Sequence, residues 1–439
     1  MNADQYLSSI KNSYKSFRII GLNYKKSTIM QYKHQHFNKL AKLIITTYLC
    51  CLPLLSCNNQ QQISAENQTS PTAEPQTNST QAPLLLSQAS PQDDKYFLDN
   101  QIWGEAGDKQ NLLQAIDYSL NYLKTPKAEA AYQKYIVPEI TRERVEKSLK
   151  RFRELVVNSQ NAEELQEAVN KEFVFYKSIG SDNQGTILFT GYYKPIYQAS
   201  REQTAEYRYP VYRLPDDFKS WSKPHPTRLE LEGADALQAD KGKLKDLELF
   251  WLKSRMDAFL AQVQGSAVLE FTDGTTTSIN YAGNTDHEYV SLGKELIKDG
   301  KLEQEGITLE KVINYLEENP ESQNEYLPRN PRFIFFKDTK NAPAIGSLNV
   351  PVTPERSIAT DKSLMPPGAL AIIRAPFPFI NQGKIEQRLV SRYVLDQDTG
   401  GAIKSPGRVD YYIGVGKEAG DRAGAIINQG ELYYLLLKN

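Results

Sequence analysis

The chain has 439 residues, with 52 Lys+Arg against 53 Asp+Glu for a formal charge of −1, and 40% of its residues are hydrophobic. This is a globular composition with chain enough for about three domain-sized units, and it lacks the basic excess that nucleic-acid binding draws on. Cys50, Cys51 and Cys57 all lie near the start and only His225 and His287 follow them, so the body of the chain holds no cysteine-built zinc site or disulfide framework; neither a metal centre nor a histidine triad is expected.

Residues 40–56, LAKLIITTYLCCLPLLS, form a long apolar run preceded by Lys33, Lys39 and Lys42. A basic stretch, an apolar core and a processing point have the layout of an export signal, whereas a spanning helix needs about 20 apolar residues without a Pro53. The tetrad LLSC (54–57) resembles the bacterial lipobox, which makes Cys57 the expected lipid anchor and 1–56 a signal region, with Met30 a second candidate start. Residues 57–93 are rich in Gln, Asn, Ser, Thr and Pro and read as a disordered tether. Anchor and tether place the folded part in the periplasm, held to a membrane; Asn58, rather than an Asp, after the cysteine favours the outer one.

In the folded part, Leu113, Ile116, Leu120 and Leu123 recur at helical spacing over 108–125. A second helix starts after Thr141 as N-cap, with Val145, Leu149, Phe152 and Val156 on one face, and a third runs over 162–173 into the strand-like ILFTGYY. Asp273-Gly274 between two β-rich runs predicts a type I′ hairpin. Two short helices follow, from Ser291 to Gly300 and from Thr308 to Pro320. FIFFK, ALAIIRAP, RLVSRYVLD, RVDYYIGVG and ELYYLLL then predict strands of a small closed barrel.

Aspartates in that last part carry the chemical signal. In RVDYYIGV (408–415) the alternation sets Asp410, Tyr412 and Gly414 on one face, so an aspartate projects from a strand beside an aromatic ring. The residues alone allow a catalytic carboxyl or one paired with Arg408. Asp398 opens the Gly-rich turn DTGGAIK with Gly400, Gly401 and Lys404, and reads either as a second carboxylate or as a turn residue accepting backbone N–H bonds. Asp361, just before Pro366-Pro367-Gly368, reads as a turn residue.

The ordered motifs FTGYYKP (189–195), YPVYRLP (209–215), YAGNTDHEYVSLG (281–293), NPRFIFF (330–336), ATDKSLMPPG (359–368) and DTGGAIKSPGRVDYYIGVGKEAGDRAG (398–424) resemble those of the lytic murein transglycosylase A (MltA) family. The three-aspartate C-terminal part resembles its 3D domain, with one extra residue between Asp398 and Asp410 absorbed at Ser405-Pro406-Gly407. The resemblance implies a mainly β protein with N-terminal helices: a double-psi β-barrel domain, 94–196 plus 328–439, and a smaller inserted β-rich substrate-binding domain, 197–327, with a cleft between them. It further implies Asp410 as the single catalytic acid/base and Asp398 beside it. Substrate contacts are implied for Thr190, Tyr192 and Tyr193, for Tyr281, His287 and Ser291 of the insert, and for Asp361, Gly400, Gly401 and Lys404.

The activity implied is cleavage of the β-1,4 bond between N-acetylmuramic acid and N-acetylglucosamine of peptidoglycan strands, ending in a 1,6-anhydro sugar. No cofactor is needed, and wall-synthesis enzymes are candidate partners. An aspartate of pKa about 3.9 is ionised at neutral pH, so the acid step requires a raised value, from burial beside Tyr412 or from the charge of Asp398. Two rival readings are a non-catalytic peptidoglycan-binding lipoprotein and a glycosidase that uses Asp398 as its second carboxylate.

Overall fold

The computed structural model describes residues 86–89, 97–239 and 242–438; the apolar run, Cys57 and most of the expected tether lie outside these residues. Strand β1 (Leu86–Ala89) pairs antiparallel with β2 (Phe173–Ser178). Residues 86–89, within the tether expected over 57–93, are therefore a strand, because the free edge of β2 offers backbone N–H and C=O groups that LSQA takes.

Between these strands lie α1 (Lys109–Leu123), α2 (Pro126–Gln133), α3 (Arg142–Asn158) and α4 (Ala162–Glu172). Thr141 caps α3 by accepting the Arg144 N–H at 3.2 Å, and the helix buries Val145, Leu149, Phe152 and Val156 as its spacing predicts. The buried stripe of α1 is instead Leu112, Ala115, Ile116, Ser119 and Leu123, with Leu113 and Leu120 at its margin. The reason is a polar contact: Gln397 donates to the Ala115 carbonyl at 2.7 Å and to Ser119 Oγ at 3.0 Å, which turns that side of the helix inward.

After β3 (Ile187–Lys194) the chain builds a second sheet from β4 (Ile196–Ser200), β5 (Tyr209–Tyr212), β6 (Glu248–Leu252), β7 (Ser266–Phe271), β8 (Thr276–Asn284) and β9 (Ile334–Asp338), in the spatial order β5-β6-β4-β7-β8-β9. Among the described residues, five α-helices accompany it: α5 (Arg228–Glu232), α6 (Arg255–Gln264), α7 (Leu292–Lys298), α8 (Leu309–Glu318) and α9 (Pro320–Tyr326). The sheet takes in β9 and so runs past the boundary expected at 327. The β7–β8 turn is not type I′, since Gly274 alone of the Asp273-Gly274 pair has positive φ (79°). Asp273 accepts from the Thr275 N–H at 2.8 Å instead, fixing a longer loop from its side chain.

The remaining strands are β10 (Ser357–Ala359), β11 (Leu370–Asn381), β12 (Lys384–Asp398), β13 (Arg408–Val415) and β14 (Ile427–Leu437), with α10 (Lys417–Gly424) between the last two. The pairings β3-β13-β10-β12-β11-β14 return to β3, closing a six-stranded barrel. Its buried residues, including Ile372, Val394, Leu395, Val409, Tyr411 and Leu435, belong to one core with the buried faces of α1, α3 and α4. Phe152 of α3, for example, lies 4.8 Å from the Tyr393 ring.

An arginine network fastens the N-terminal segment to this barrel. Arg356, at 0% exposure, gives Nε to Asp108 at 2.8 Å and Nη1 to Asp99 at 2.5 Å, and Arg392 gives Nη2 to Asp108 at 2.6 Å. At the join with the second sheet, buried Lys194 donates to Ser278 Oγ and to the Ala342 carbonyl, both at 2.8 Å, and burial pulls its pKa down to about 8.

Candidate active site

Strand register assembles the site. Asp410 of β13 lies opposite Thr190 of parallel β3 and opposite Ala359 of antiparallel β10; Ala359 in turn lies opposite Asp398 of β12, and Thr190 opposite Ile427 of β14. Residues opposite one another on paired strands project to the same face. Asp398, Ala359, Asp410, Thr190 and Ile427 thus form one row across the outside of the barrel, with only a methyl group between the two aspartates.

Thr190 Oγ1 donates to Asp410 Oδ1 at 2.8 Å and itself accepts from Arg408 Nη2 at 3.0 Å. Arg408 is two residues from Asp410 on the same strand face, so strand periodicity places all three groups of this relay together. Burial pushes the half-buried Asp410 carboxyl up to about 6; the Thr190 bond and the Arg408 charge oppose that push, and the charge of Asp398 adds to it.

Asp398 has a fuller set of partners. Oδ1 accepts from the N–H of Ser347 at 2.7 Å and of Thr399 at 2.8 Å, and Oδ2 accepts from the Tyr192 hydroxyl at 3.0 Å. Burial nevertheless holds its carboxyl above the usual range. Tyr192 packs on Tyr412, ring centres 5.1 Å apart, so two aromatic faces adjoin the carboxylates.

Asp361 does structural work at the edge of this row. Its Oδ1 accepts from the Ser363 hydroxyl at 2.6 Å and N–H at 3.1 Å, and its Oδ2 from the Ser405 N–H at 3.1 Å. Burial alone would raise its pKa, but these bonds and the charge of Lys404 hold the carboxyl below the usual range. The aspartate therefore ties the loop after β10 to the loop that leads into β13, and the side chain of Lys404 is exposed there.

The second wall comes from the inserted segment. A Cβ at Gly401 would sit 3.2 Å from Arg332 Cζ, so glycine lets the Asp398 loop lie against that guanidinium. Arg332 Nη1 donates to the His287 carbonyl at 3.1 Å, and His287 Nε2 meets the His225 carbonyl at 2.6 Å. Tyr281 is exposed and bonded through its hydroxyl to Asn284. Burial raises the Tyr289 phenol, with the charges of Arg228 and Arg408 acting against the rise.

Of the residues expected from sequence, then, Thr190, Tyr192, Asp398 and Asp410 converge; Asp361, Gly400, Gly401 and Lys404 form the adjoining loops; and His287 reaches them through Arg332. Tyr193 and Ser291 are occupied otherwise. Tyr193 lies on the opposite face of β3, where its ring would be 2.8 Å from a Cβ at Gly420, and Ser291 is the N-cap of α7, accepting from Lys294 N–H at 3.4 Å. Sequence reading assigned no role to Arg332, whose only signal is contact across long sequence separations. Among the described residues no group of three His, Cys, Asp or Glu side chains is arranged to hold a metal ion. The arrangement offers one carboxyl that takes up and releases a proton near pH 6, held in place by a threonine and flanked by an already satisfied carboxylate.

Residues 188–337 match the family described as MltA specific insert domain, and residues 356–436 match the 3D domain. The membrane-bound lytic murein transglycosylase A of Escherichia coli strain K12 is 36% identical over 259 residues, 58% of this chain and 67% of that protein. Among solved structures, a membrane-bound lytic murein transglycosylase from Agrobacterium tumefaciens matches with a TM-score of 0.62 at 26% identity, covering 80% of this chain and 97% of that one. Escherichia coli MltA with bound chitohexaose matches with a TM-score of 0.59 at 28% identity, covering 75% of this chain and 90% of that one. With an inserted part and a C-terminal part matched in order and 36% identity to a curated relative over 259 aligned residues, the chain belongs to the membrane-bound lytic murein transglycosylase A family.

Proposed function

We propose that this lytic transglycosylase cleaves the β-1,4 bond between N-acetylmuramic acid and N-acetylglucosamine with Asp410 as its only acid/base. Protonated Asp410 donates to the leaving glycosidic oxygen. The carboxylate left behind takes the proton of the muramic C6 hydroxyl as that oxygen closes on C1. One bond breaks and one forms, the proton returns to Asp410, and the product is a 1,6-anhydro sugar with no water consumed. Because the nucleophile is already part of the substrate, proximity replaces a bound water.

The observation that carries this reading is the raised pKa of Asp410, near 6, next to an Asp398 whose two oxygens already accept three hydrogen bonds. A hydrolase needs a second carboxylate free to attack or to activate water. Asp398 is instead a positioning group, and its charge helps keep Asp410 protonated. In this reading the barrel is of the double-psi type, and the inserted domain forms the far wall of the glycan groove, with Tyr281 and His287 on it. Glycan binding in that groove is supported by the chitohexaose complex of the Escherichia coli relative. Relatives named membrane-bound support attachment to a membrane, here through a lipid on Cys57 at the outer membrane, facing the periplasm.

The test is mass spectrometry of soluble products released from purified peptidoglycan by the chain and by Asp410→Asn. Anhydro-muropeptides from the first and none from the second are expected. Reducing muropeptides, one water heavier, would mean a hydrolase and refute the mechanism.

A further inference from the structure

The inserted domain joins the barrel through two crossings: Pro195, between β3 and β4, and the segment 339–356, which returns from β9 to β10. The first residues of the return crossing are fastened to β8. The Ser278 carbonyl accepts the Thr339 N–H at 2.8 Å. Asn280 Nδ2 donates to Thr339 Oγ1 at 3.0 Å and to the Pro343 carbonyl at 3.1 Å, and Asn341 Nδ2 donates to the Thr276 carbonyl at 3.1 Å. From the barrel, Lys194 at the end of β3 reaches into this joint. Its Nζ donates to Ser278 Oγ of β8 and to the Ala342 carbonyl of the return crossing, both at 2.8 Å.

The reaction above uses no group at this joint, yet an ammonium is a costly group to place there. Lys194 is 2% exposed, and its two bonds go to neutral acceptors. An apolar side chain of the same length would fill the space at less cost. What the ammonium adds is direction, since it bonds β8 and the return crossing at once from a barrel strand. Alternation sets Thr190, Tyr192 and Lys194 on one face of β3, with the lysine about 7 Å beyond Tyr192 at the rise of a strand. Thr190 and Tyr192 hold the two aspartates, and Ser278 lies on the strand that carries Tyr281. The lysine thus ties the strand under the carboxylates to the strand under the opposite wall.

We propose that Lys194 is a positioning residue for glycan binding, whose bonds to Ser278 and Ala342 fix the inserted domain against the barrel and so set the width of the groove. This rests on the reading in which the inserted domain forms the far wall of that groove. Burial lowers the pKa of Lys194 to about 8, so the joint changes charge within a range that can be tested. The titratable groups on the surrounding elements are otherwise placed. Lys337 of β9 and Lys340 of the crossing are exposed, and Asp338 accepts the Thr277 hydroxyl at 2.6 Å. Glu270 of β7 accepts from Gln198 at 2.8 Å, Lys417 and Asp421 of α10 pair at 2.7 Å, and Tyr281 bonds to Asn284. A neutral amine keeps the two bonds of Lys194 without the charge that strengthens them.

Calorimetric titration of the full chain with chitohexaose, the ligand bound by the Escherichia coli relative, tests the role. At pH 7 Lys194→Met should bind it about tenfold more weakly than wild type, the scale of a lost hydrogen bond to a charged group. Ser278→Ala should weaken binding less, and should add nothing in the methionine background. From pH 7 to 9, where Asp410 is already largely ionised, the wild type should lose affinity and Lys194→Met should not, which a space-filling side chain would not produce. On murein, KM of Lys194→Met should rise more than kcat falls. Circular dichroism checks folding; if the methionine variant is unfolded, Ser278→Ala and the wild-type pH dependence carry the test. Affinity unmoved by either substitution, or a pH dependence shared by the methionine variant, would overturn the positioning role and leave Asp410 standing as the acid. Chitohexaose ignored by the wild type would overturn the groove, and this inference with it.

Discussion

Thr190 is the residue through which the proton affinity of Asp410 can be changed without touching the carboxyl. Its hydroxyl donates to Asp410 at 2.8 Å and so favours the ionised form against burial, which favours the neutral one. A general acid is active while protonated, so kcat/KM should fall as pH rises through about 6, the value to which burial pushes Asp410. In Thr190→Val, similar in shape but without the donor, the carboxylate loses that support and its pKa rises further. The falling limb should therefore move to higher pH by up to about one unit, since a hydrogen bond to a charged group contributes about 1.5–3 kcal/mol and water replaces part of it. A pH–rate profile of both proteins decides it, and a limb that stays put or moves to lower pH sinks the assignment. The strand face of Asp410 was legible in the sequence from its alternation, but the residues alone left a catalytic carboxyl and one paired with Arg408 equally open, and only the family resemblance chose between them. Thr190 could be named only through the family resemblance, because its bond depends on the parallel register of β3 and β13, which the sequence does not display. Arg332 stayed hidden because its contacts too cross long sequence separations, whereas the helix read as starting at Ser291 already pointed to the cap that engages that residue.

The element that presents the site is β3, and its position is set by a glycine. A Cβ at Gly191 would fall 2.8 Å from the Ala423 Cα and 2.9 Å from the Ala423 carbonyl oxygen, both backbone atoms of α10 that cannot swing aside. Gly191→Ala should push β3 off α10, costing about 1–3 kcal/mol as overpacking does. Because Gly191 lies between Thr190 and Tyr192, the same shift should loosen both hydrogen bonds to the aspartates, and kcat should fall more than KM changes. Thermal unfolding together with steady-state rates measures this; an alanine variant of unchanged stability and rate would show that the strand has room. Elements were the most readable level of the sequence: the helices after Thr141, Asn161 and Thr308 begin where their caps stand. The long β11–β12 hairpin was not, since Pro376 and Pro378 interrupt its first strand. Both prolines point their missing N–H away from β12, on the side where Asn428 and Arg422 take the two carbonyls at 2.9 Å, so no hydrogen bond of the β11–β12 ladder is lost.

At the scale of the whole molecule, the question is what keeps the N-terminal segment seated on a barrel whose outer face carries the chemistry. The apolar faces of α1 and α3 share the barrel core, but shared burial does not fix orientation, and Arg356 adds directional bonds at the centre of that contact. It is wholly buried, and it holds Asp99 and Asp108, which precede α1. The nitrogen that holds Asp99, Nη1, also donates to the Tyr393 carbonyl of β12 at 2.8 Å. Removing one partner of such a network leaves the others buried and uncompensated, so Arg356→Met should destabilise the fold by about 3–5 kcal/mol, read as a lower urea midpoint. The cost should be mostly that of the stranded acid. Asp108 keeps Arg392 as a partner at 2.6 Å, whereas Asp99 loses its only ion-pair partner among the described residues. The double variant Arg356→Met with Asp99→Asn should therefore recover a substantial part of the loss, while Asp99→Asn alone destabilises the fold. If the double variant is instead as unstable as the two single changes added together, the arginine and the aspartate contribute independently, and their ion pair is not what seats the helical segment.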